Sequence, residues 1–416
     1  LIELLDSKEH TVTHTEGYDA TVQISEYLPT GTELTLTSGF SWGDSSVADD
    51  SEYAGNWSVG VSQALLRGFG PAVNLVALRQ ARNDSAISDL AFRDYVLSLV
   101  EQVESAYWEL ALAQETLEIR KFSLGLAQEQ LKLNEALISV GSLSGSALIS
   151  AEAEVAAQNV ELVDAEGALD TRAIALWQLL NPESRKPAEM RFLASTPEEI
   201  GDEELAADRS VRLAMQFRPD LAQSRLDLAN QELAVIESKN GLLPRLDAFA
   251  SYGLTSRGAQ TSSWAQHLDD TTYDQFEVGL SFSTALGNRA EKARYRRAKL
   301  QQDQAQMAIR NLEQSIESDV RTAVVSATSL RERIAASRKE VSSREKELAV
   351  ETDQFRLGRS TNLDVLQVQQ NLIQAKLEEA TARVRYLQAL AALFREEGTL
   401  LIRRGIVLED DREHCL

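Results

Sequence analysis

The chain has 416 residues, enough for two or three ordinary domains or for one elongated molecule. Its formal charge of −22 argues against a nucleic-acid partner, because neutralising phosphate groups needs a basic surface. The single cysteine, Cys415, cannot form an intrachain disulfide, and no apolar run approaches the roughly 18 to 20 residues of a membrane-spanning helix.

The segment before Pro71 alternates between apolar and polar side chains, which is typical of β-strands. Runs at 18–25 and 33–42 are joined by a Leu-Pro-Thr-Gly turn, and an acidic loop rich in Ser and Gly precedes a third run at 57–62. Two interpretations stay open: one face of this sheet covers a protein core, or it faces lipid while the other lines a wet lumen.

Long helices are predicted next. Residues 72–140 contain helix formers and no breaker, which at 1.5 Å per residue predicts a rod of roughly 100 Å. The Gly- and Ser-rich tract 140–146 predicts a turn before a second helix over 147–180. Helices this long need lateral partners. Residues 181–204 hold three of the seven prolines and many acids, so we expect an irregular connector there.

The second half repeats this order. Val278 corresponds to Val59 at an offset of 219 residues, and Gly358 corresponds to Gly141 at an offset of 217, so the sequence predicts two equivalent structural repeats. A leading helix at 205–241 has no counterpart in the first half, so we expect a signal peptide, a helical segment and one strand to precede the given N-terminus. The predicted segments are 1–71 (first strands), 72–180 (first helical hairpin), 181–241 (connector and leading helix), 242–286 (second strands), 287–397 (second helical hairpin) and 398–416 (tail).

The last long helix, within 355–394, carries two apolar seams with a seven-residue period. At 3.5 residues per turn each residue advances about 103°, so the seams lie on nearly opposite flanks and predict a neighbour on each side. The two faces left over are polar, which predicts a stave of a hollow cylinder; a solid helical bundle is the alternative. One seam begins Leu363, Leu366, Ile373, and the other begins Val365, Val368, Leu372. One polar face holds Asp364, Gln367, Asn371, Gln374, Glu378, Thr381, Arg385 and Gln388, and the other holds Gln369, Lys376 and Arg383.

The number of strands bears on assembly. The sequence shows five strands, and we expect a sixth in the intact protein. A transmembrane barrel needs about eight strands at least, and an open sheet edge is not tolerated in lipid. If these strands meet a membrane, several chains must share one barrel.

Four stretches resemble the TolC-like outer-membrane efflux proteins: QALLRGFG at 63–70, LLPRLDAFASYG at 242–253, VGLSFSTALGNRAEKAR at 278–294 and LGRSTNLDVLQVQQNLIQAK at 357–376. The resemblance implies a mostly α fold with a transmembrane β part, in which a long coiled-coil α-helical barrel continues a β-barrel shared by a homotrimer. It also implies an outer-membrane location with the helices in the periplasm. The implied partners are outer-membrane lipid, a periplasmic adaptor protein, and an inner-membrane pump or ABC exporter.

Site residues follow from the same resemblance. The family's acidic aperture ring corresponds to Asp364, while Gln367 stands where a second acid is usual. The tyrosine and arginine that commonly latch the closed tip correspond to Phe355 and Ser360, with Arg359 as an adjacent substitute, and Ala147 stands where an Asp is common. The expected aperture residues are Asp364, Gln367 and Asn371; the expected adaptor-docking tips are Val140, Gly141, Ser142, Leu143, Leu357, Gly358, Arg359 and Ser360; the latch candidates are Phe355 and Arg359.

Other chemistry has little support. His10 and His14 lie in a strand-like pattern without further ligands, Ser343 and Lys346 match a Ser-x-x-Lys pattern by chance, and we expect no metal, cofactor or enzymatic activity. The basic run 289–299 opens a helix, where cations are disfavoured, so it indicates an anionic lipid surface or simply a solvated face. We predict a passive exit duct; the alternative is a non-conducting structural or adhesive stalk.

Overall fold

A computed structural model of the chain describes residues 15–45, 50–141, 143–180, 194, 201, 205–258 and 272–408. Within these residues the chain is mostly helical, with one sheet. The strands are β1 (Thr15–Tyr27), β2 (Thr32–Ser45), β3 (Asp50–Ala64), β4 (Arg245–Gly258) and β5 (Thr272–Ser283). The helices are α1 (Pro71–Asn74), α2 (Val76–Ser139), α3 (Gly145–Leu180), α4 (Ala207–Phe217), α5 (Pro219–Asn240), α6 (Arg289–Arg356), α7 (Asn362–Glu396) and α8 (Leu400–Arg403).

Two helical predictions need correction. The first rod does not run unbroken from Ala72, because Pro71 opens the single turn α1 and the helix restarts after Leu75. The leading helix predicted over 205–241 is two helices, since Arg218 adopts an extended conformation. The residue before a proline is disfavoured in the α region, so Pro219 ends α4 and begins α5.

The sheet is antiparallel, with its strands in the order of the sequence. Two neighbouring rows near its middle differ in character across all five strands. One row is apolar and solvent-exposed, and the next row, on the opposite face, is polar or glycine. The apolar row is Ile24, Leu36, Val59, Tyr252 and Phe276; the polar row is Gln23, Thr37, Ser58, Gly253 and Gln275.

The strands are also longer than the sequence pattern indicated. β2 continues to Ser45 and β3 begins at Asp50, so most of the predicted acidic loop is strand. The predicted turn at 28–31 is present, and it requires a glycine. Gly31 has φ 86°, and a Cβ there would lie 2.3 Å from the carbonyl oxygen of Gly68.

The two halves are built alike. In each, a strand leads into a long helix, which a short turn joins to a second helix: β3, α2 and α3 in the first half, and β5, α6 and α7 in the second. The two turns contain Gly141 and Gly358, with φ 78° and 72°. Only glycine adopts this left-handed conformation without strain, so the internal duplication extends to the turns.

The chain divides into two compact units, residues 1–86 with 225–307, and 87–224 with 308–416. The first holds the sheet. The second holds the main apolar core, to which helices from both halves contribute. Its buried residues are Leu97, Ala214, Leu221, Ile316, Val320, Val324, Leu393, Phe394, Leu400 and Leu401.

A charged cluster lies beside this core. Arg218 pairs with Asp220, at 2.7 Å between Nη2 and Oδ2, and with Glu396 of α7. Burial acts to raise the pKa of Asp220, but the hydrogen bonds and charge of Arg218 outweigh it, so the pKa lies below the ordinary value of 3.8. The cluster therefore fixes the extended residue between α4 and α5 to the end of α7.

Helix α7 packs beside both α6 and α2. Ala382 and Tyr386 of one seam pack against α6, where they contact Ala327 and Ile334. Gln388, on the polar face that begins at Asp364, donates its amide to the hydroxyl of Ser105 of α2 at 3.1 Å. Residues of both seams are buried along the helix. The prediction for Leu363 is wrong, because this side chain is 74% exposed.

The two polar faces of α7 differ from each other. The prediction of two wet faces is wrong for the one holding Lys376 and Arg383, because ion pairs to neighbouring helices cover it. Lys376 Nζ lies 2.6 Å from Glu345 Oε1 of α6. Arg383 pairs with Glu115 of α2, and its side chain is only 14% exposed. The other polar face is exposed at Asp364, Gln367 and Gln374, in the part of the helix nearest the tip.

Candidate functional site at the hairpin tips

The two helical hairpins end in exposed tips. At the first tip, Val140 is 71% exposed and the backbone N–H of Gly141 donates to the carbonyl of Ile138 at 2.9 Å. At the second, Leu357 is 70% exposed and the N–H of Gly358 donates to the carbonyl of Phe355 at 3.0 Å. Each tip thus presents one large apolar side chain on a turn whose backbone is hydrogen-bonded. Ser142, also predicted for the first tip, lies outside the described residues.

A cleft of about 370 Å³ separates the two tips. Leu143 and Ala147 line it from the first hairpin, while Phe355 and Leu366 line it from the second. Phe355 is 3% exposed, so this latch candidate is a buried apolar contact. Arg359, the other latch candidate, is exposed and does not line the cleft.

The resemblance aligns Ser360 with a latch arginine. Its hydroxyl donates to the carboxylate of Glu351 in α6, within the same hairpin. This bond holds the second tip to its own helix rather than to the first hairpin.

At the cleft, which Asn362 helps to line, three buried amide side chains join the hairpins. Gln130 Nε2 and Asn134 Nδ2, both from α2, donate to Asn362 Oδ1 of α7 at 3.0 and 2.9 Å. Asn134 Nδ2 also donates to the carbonyl oxygen of Ala147 at 3.3 Å, and Asn362 Nδ2 donates to Ser150 Oγ at 3.2 Å. The three amides are at most 8% exposed. We call Gln130, Asn134 and Asn362 the amide cluster.

Sequence reasoning missed the amide cluster. Gln130 and Asn134 are four residues apart and so share one face of α2, which was an available signal. Their partner Asn362 is more than 220 residues away in the chain, and no local pattern connects them. Polar groups buried this deeply are stable only when paired, so the cluster specifies how the two tips meet.

Asp364 has a structural role that the sequence analysis did not consider. Its Oδ2 accepts hydrogen bonds from the Thr361 backbone N–H at 3.1 Å and hydroxyl at 2.6 Å, and its own N–H donates to Thr361 Oγ1 at 3.3 Å. This reciprocal capping box starts α7. The Thr-x-x-Asp spacing was the signal for it.

The capping box also affects the charge of the residue. The hydrogen bonds to the exposed carboxylate, above all the one from the Thr361 hydroxyl, hold the pKa of Asp364 below its ordinary value of 3.8. Asp364 is therefore an anion at neutral pH.

The solvent-exposed polar face of α7 begins at Asp364. Gln367 and Asn371 follow at spacings of three and four residues, and Gln367 Nε2 donates to Asn371 Oδ1 at 3.2 Å. Gln374 and Glu378 continue the face with a bond of 3.0 Å. The structure thus places the three predicted aperture residues on one helix face, in a row that starts at the tip.

The described residues hold no group of three or more side chains that could bind a metal. The candidates His10 and His14 lie outside these residues. None of the described helices is long and apolar enough to cross a bilayer.

The chain forms two long helical hairpins, each reached through strands of one antiparallel sheet. This is the fold of outer-membrane channels that combine a helical tunnel with a β-barrel. A solved structure with this fold is the outer membrane protein VceC of Vibrio cholerae, which aligns with a TM-score of 0.70 at 16% identity, over 92% of this chain and 87% of that one. The chain belongs to the outer membrane efflux protein family, whose model matches residues 18–182 and 211–399.

Two curated relatives are secretion and outer-membrane proteins. The proteases secretion protein PrtF of Dickeya chrysanthemi is 24% identical over 319 residues, covering 76% of this chain and 67% of that protein. The outer membrane protein TolC of Escherichia coli K12 is 25% identical over 326 residues, covering 75% of this chain and 63% of TolC. The chain thus spans about two thirds of the length of these relatives. A non-conducting stalk finds no support among them.

Proposed function

We propose that this protein is a passive exit duct of the outer membrane, formed by three copies that share one β-barrel and one helical tunnel. The observation that carries the proposal is the register of the sheet. An exposed apolar row on one face and a polar row on the other suit a wall with lipid outside and water inside. A chain of this family needs no catalytic group for such a role, and we propose none.

The edges of the sheet support the shared barrel. Among the described strands, β1 and β5 each have a single partner strand. Unpaired backbone groups cost several kcal/mol each in hydrocarbon. The five strands within the described residues are also too few for a barrel, for which about eight is the minimum. Pairing between the edges of neighbouring copies removes both difficulties.

We assign the exposed polar face of α7 to the lumen. Asp364, Gln367 and Asn371 then lie at the narrow end, where copies of the Asp364 carboxylate attract cations. The tips, with Val140 and Leu357, dock on a periplasmic adaptor that connects the duct to an inner-membrane pump or ABC exporter. Opening moves the hairpins apart around the two turn glycines, and it is driven by a partner that binds the open form better.

Conductance and mass on one sample test the duct. The oligomeric mass of protein purified in detergent is determined by light scattering, and the same sample is then inserted into a planar bilayer. We expect a trimer with small, cation-selective conductance steps. A monomer, or a trimer that stays silent even with the amide cluster weakened by Asn362→Ala, would overturn the proposal.

The docking assignment has its own test. The double variant Val140→Asp, Leu357→Asp places charge on both tips, so we expect loss of pump-dependent efflux with the trimer intact. Val163→Asp serves as a control, because Val163 is 65% exposed on α3, away from the tips. Unchanged drug sensitivity of the double variant would remove the tips from adaptor docking.

A further inference from the structure

The start of α6 is strongly basic in an acidic protein. Residues 289–299 hold six of the chain's 42 Lys and Arg residues and a single acid, Glu291, although the chain carries a net charge of −22. Four of the basic residues follow each other at spacings of three, four and three, so they form a line along one face of the helix. These four are Arg289, Lys292, Arg296 and Lys299, which we call the basic stripe; all are exposed.

The basic stripe is not neutralised within the described part of the chain. Glu291 pairs instead with Arg67 at 3.4 Å and with Arg294 at 2.8 Å. No described carboxylate forms an ion pair with any of the four stripe side chains; Lys299 lies only 5.9 Å from the ring centroid of Tyr295. Arg289 and Lys292 lie in the first turn, where the helix dipole disfavours positive charge, so the helix itself gains nothing from these two cations. A bound anion would offset that cost.

The stripe continues the apolar face of the sheet. Along β5, Leu280 and Phe282 of that face are 71% and 62% exposed. Leu286, in the segment between β5 and α6, is fully exposed, and Arg289 follows three residues later. The surface therefore changes from strand side chains suited to hydrocarbon, through one protruding leucine, to a line of cations. This order matches the passage from the acyl region of a membrane to its headgroups.

A cleft lies at the same place. Its volume is about 710 Å³, and it is lined by the start of β4, the end of β5 and the start of α6. Arg67 and Arg245 line it together with Arg289, but Arg67 pairs with Glu291 and Arg245 Nε lies 2.5 Å from Asp247 Oδ2. Among the described residues, Arg289 is therefore the lining arginine that forms no ion pair.

We propose that the basic stripe binds the anionic headgroups of phospholipids in the leaflet next to the helical end of the sheet, with Leu286 inserted among the acyl chains. This rests on the proposed placement of the apolar sheet face in the outer membrane. The bound lipid anchors the start of α6 at a fixed depth, and so sets where the membrane ends and the water-exposed helices begin. Each Lys or Arg near an anionic membrane surface contributes a similar attraction, so the effect belongs to the stripe as a whole.

The test compares lipid retention by native mass spectrometry. Detergent-purified protein is incubated with an equimolar mixture of phosphatidylglycerol and phosphatidylcholine. The stripe variant carries Arg289→Ser, Lys292→Ser, Arg296→Ser and Lys299→Ser. The control variant removes the same charges from exposed positions further along the same helix: Arg310→Ser, Arg333→Ser, Lys339→Ser and Lys346→Ser.

We expect the wild type and the control to retain phosphatidylglycerol at least tenfold over phosphatidylcholine, and the stripe variant to lose that preference. Raising the salt to 0.5 M should weaken the wild-type preference, because exposed charges are screened. Equal preference in stripe and control variants, or none in the wild type, would overturn the inference. A trimer that conducts without preferring the anionic lipid would refute this inference alone, whereas a wild-type protein that neither forms trimers nor conducts would refute the proposed duct.

Discussion

Replacing Asn362 by alanine should loosen the hairpin tips without unfolding the helices. The side chain accepts hydrogen bonds from Gln130 and Asn134 and donates one to Ser150. Bonds of this kind contribute about 0.5 to 1.5 kcal/mol each. Gln130 and Asn134 keep a second acceptor after the substitution, so neither is left fully unpaired. We therefore expect a loss of about 2 kcal/mol rather than the larger penalty of stranded polar groups.

Hydrogen exchange measures this loss directly. A change of about 2 kcal/mol makes local opening about 30-fold more frequent, because each 1.4 kcal/mol is a factor of ten. Peptides covering 143–150 and 362–366 should exchange faster by that factor, while peptides in the core of α2 around Leu97 should not change. The control is Asn159→Ala, because Asn159 is exposed and bonds only its own helix, at 3.0 Å to the carbonyl of Val155.

A double-mutant cycle with Asn134→Ala isolates the contact between the two amides. We expect a coupling free energy of about 1 kcal/mol, the usual contribution of one buried hydrogen bond. Unchanged exchange at the tips of Asn362→Ala, or perfectly additive effects of the two substitutions, would refute the idea that the amide cluster holds the hairpins together.

Three further predictions concern α7 and its ends. Gly398→Ala should lower the unfolding temperature more than Gly405→Ala does. Both glycines have positive φ, which costs a non-glycine residue about 1 to 2 kcal/mol, but at Gly398 the new Cβ would also lie 2.6 Å from the carbonyl oxygen of Phe217 in α4. Equal shifts of the two variants in thermal unfolding measured in detergent would contradict this. Because the pKa of Asp220 is lowered in the folded state, its contribution to stability is present above pH 3.8 and lost as the pH falls through the folded value. Asp220→Asn should therefore flatten the acid limb of a stability-versus-pH curve, and an unchanged slope would count against the ion pair. Finally, Asp364→Asn should reduce channel block by multivalent cations. Thr361→Ala breaks the same capping box, at a cost of about 1 kcal/mol, but keeps the charge, so it should leave the block unchanged. Equal loss of block in both variants would show that helix capping, and not charge, controls the block.

Most of the fold could be predicted from regular patterns of apolar and polar residues in the sequence. The strand alternation and the two seams of α7 report burial on opposite faces of one element, so they can be read from one stretch of sequence. The exception at Leu363 has a physical reason. It lies in the first turn of α7, beside the open cleft between the tips, where fewer side chains are available to cover it than along the helix.

The details of the candidate site depend on tertiary contacts and were less accessible. The amide cluster joins helices far apart in the sequence, and the ion pairs of Lys376 and Arg383 turn a face predicted to be wet into a contact surface. Patterns within one helix cannot distinguish a charged side chain that meets water from one that meets a partner charge. The capping role of Asp364, by contrast, is local and was available from the Thr-x-x-Asp spacing.

Ion pairs join α2 to α7 and to Arg404, the residue after α8, and they have a consequence for the order of folding. Arg383 reaches Glu115 across 268 residues of sequence, and Arg404 reaches Glu104 across 300. The core that contains Leu97 likewise needs Leu400 and Leu401. Contacts so distant in sequence are slow to form, since a long loop must close before they are made. Apolar surface of the first hairpin therefore stays uncovered until residues near 400 have been synthesised, and exposed apolar surface of this kind favours aggregation during folding.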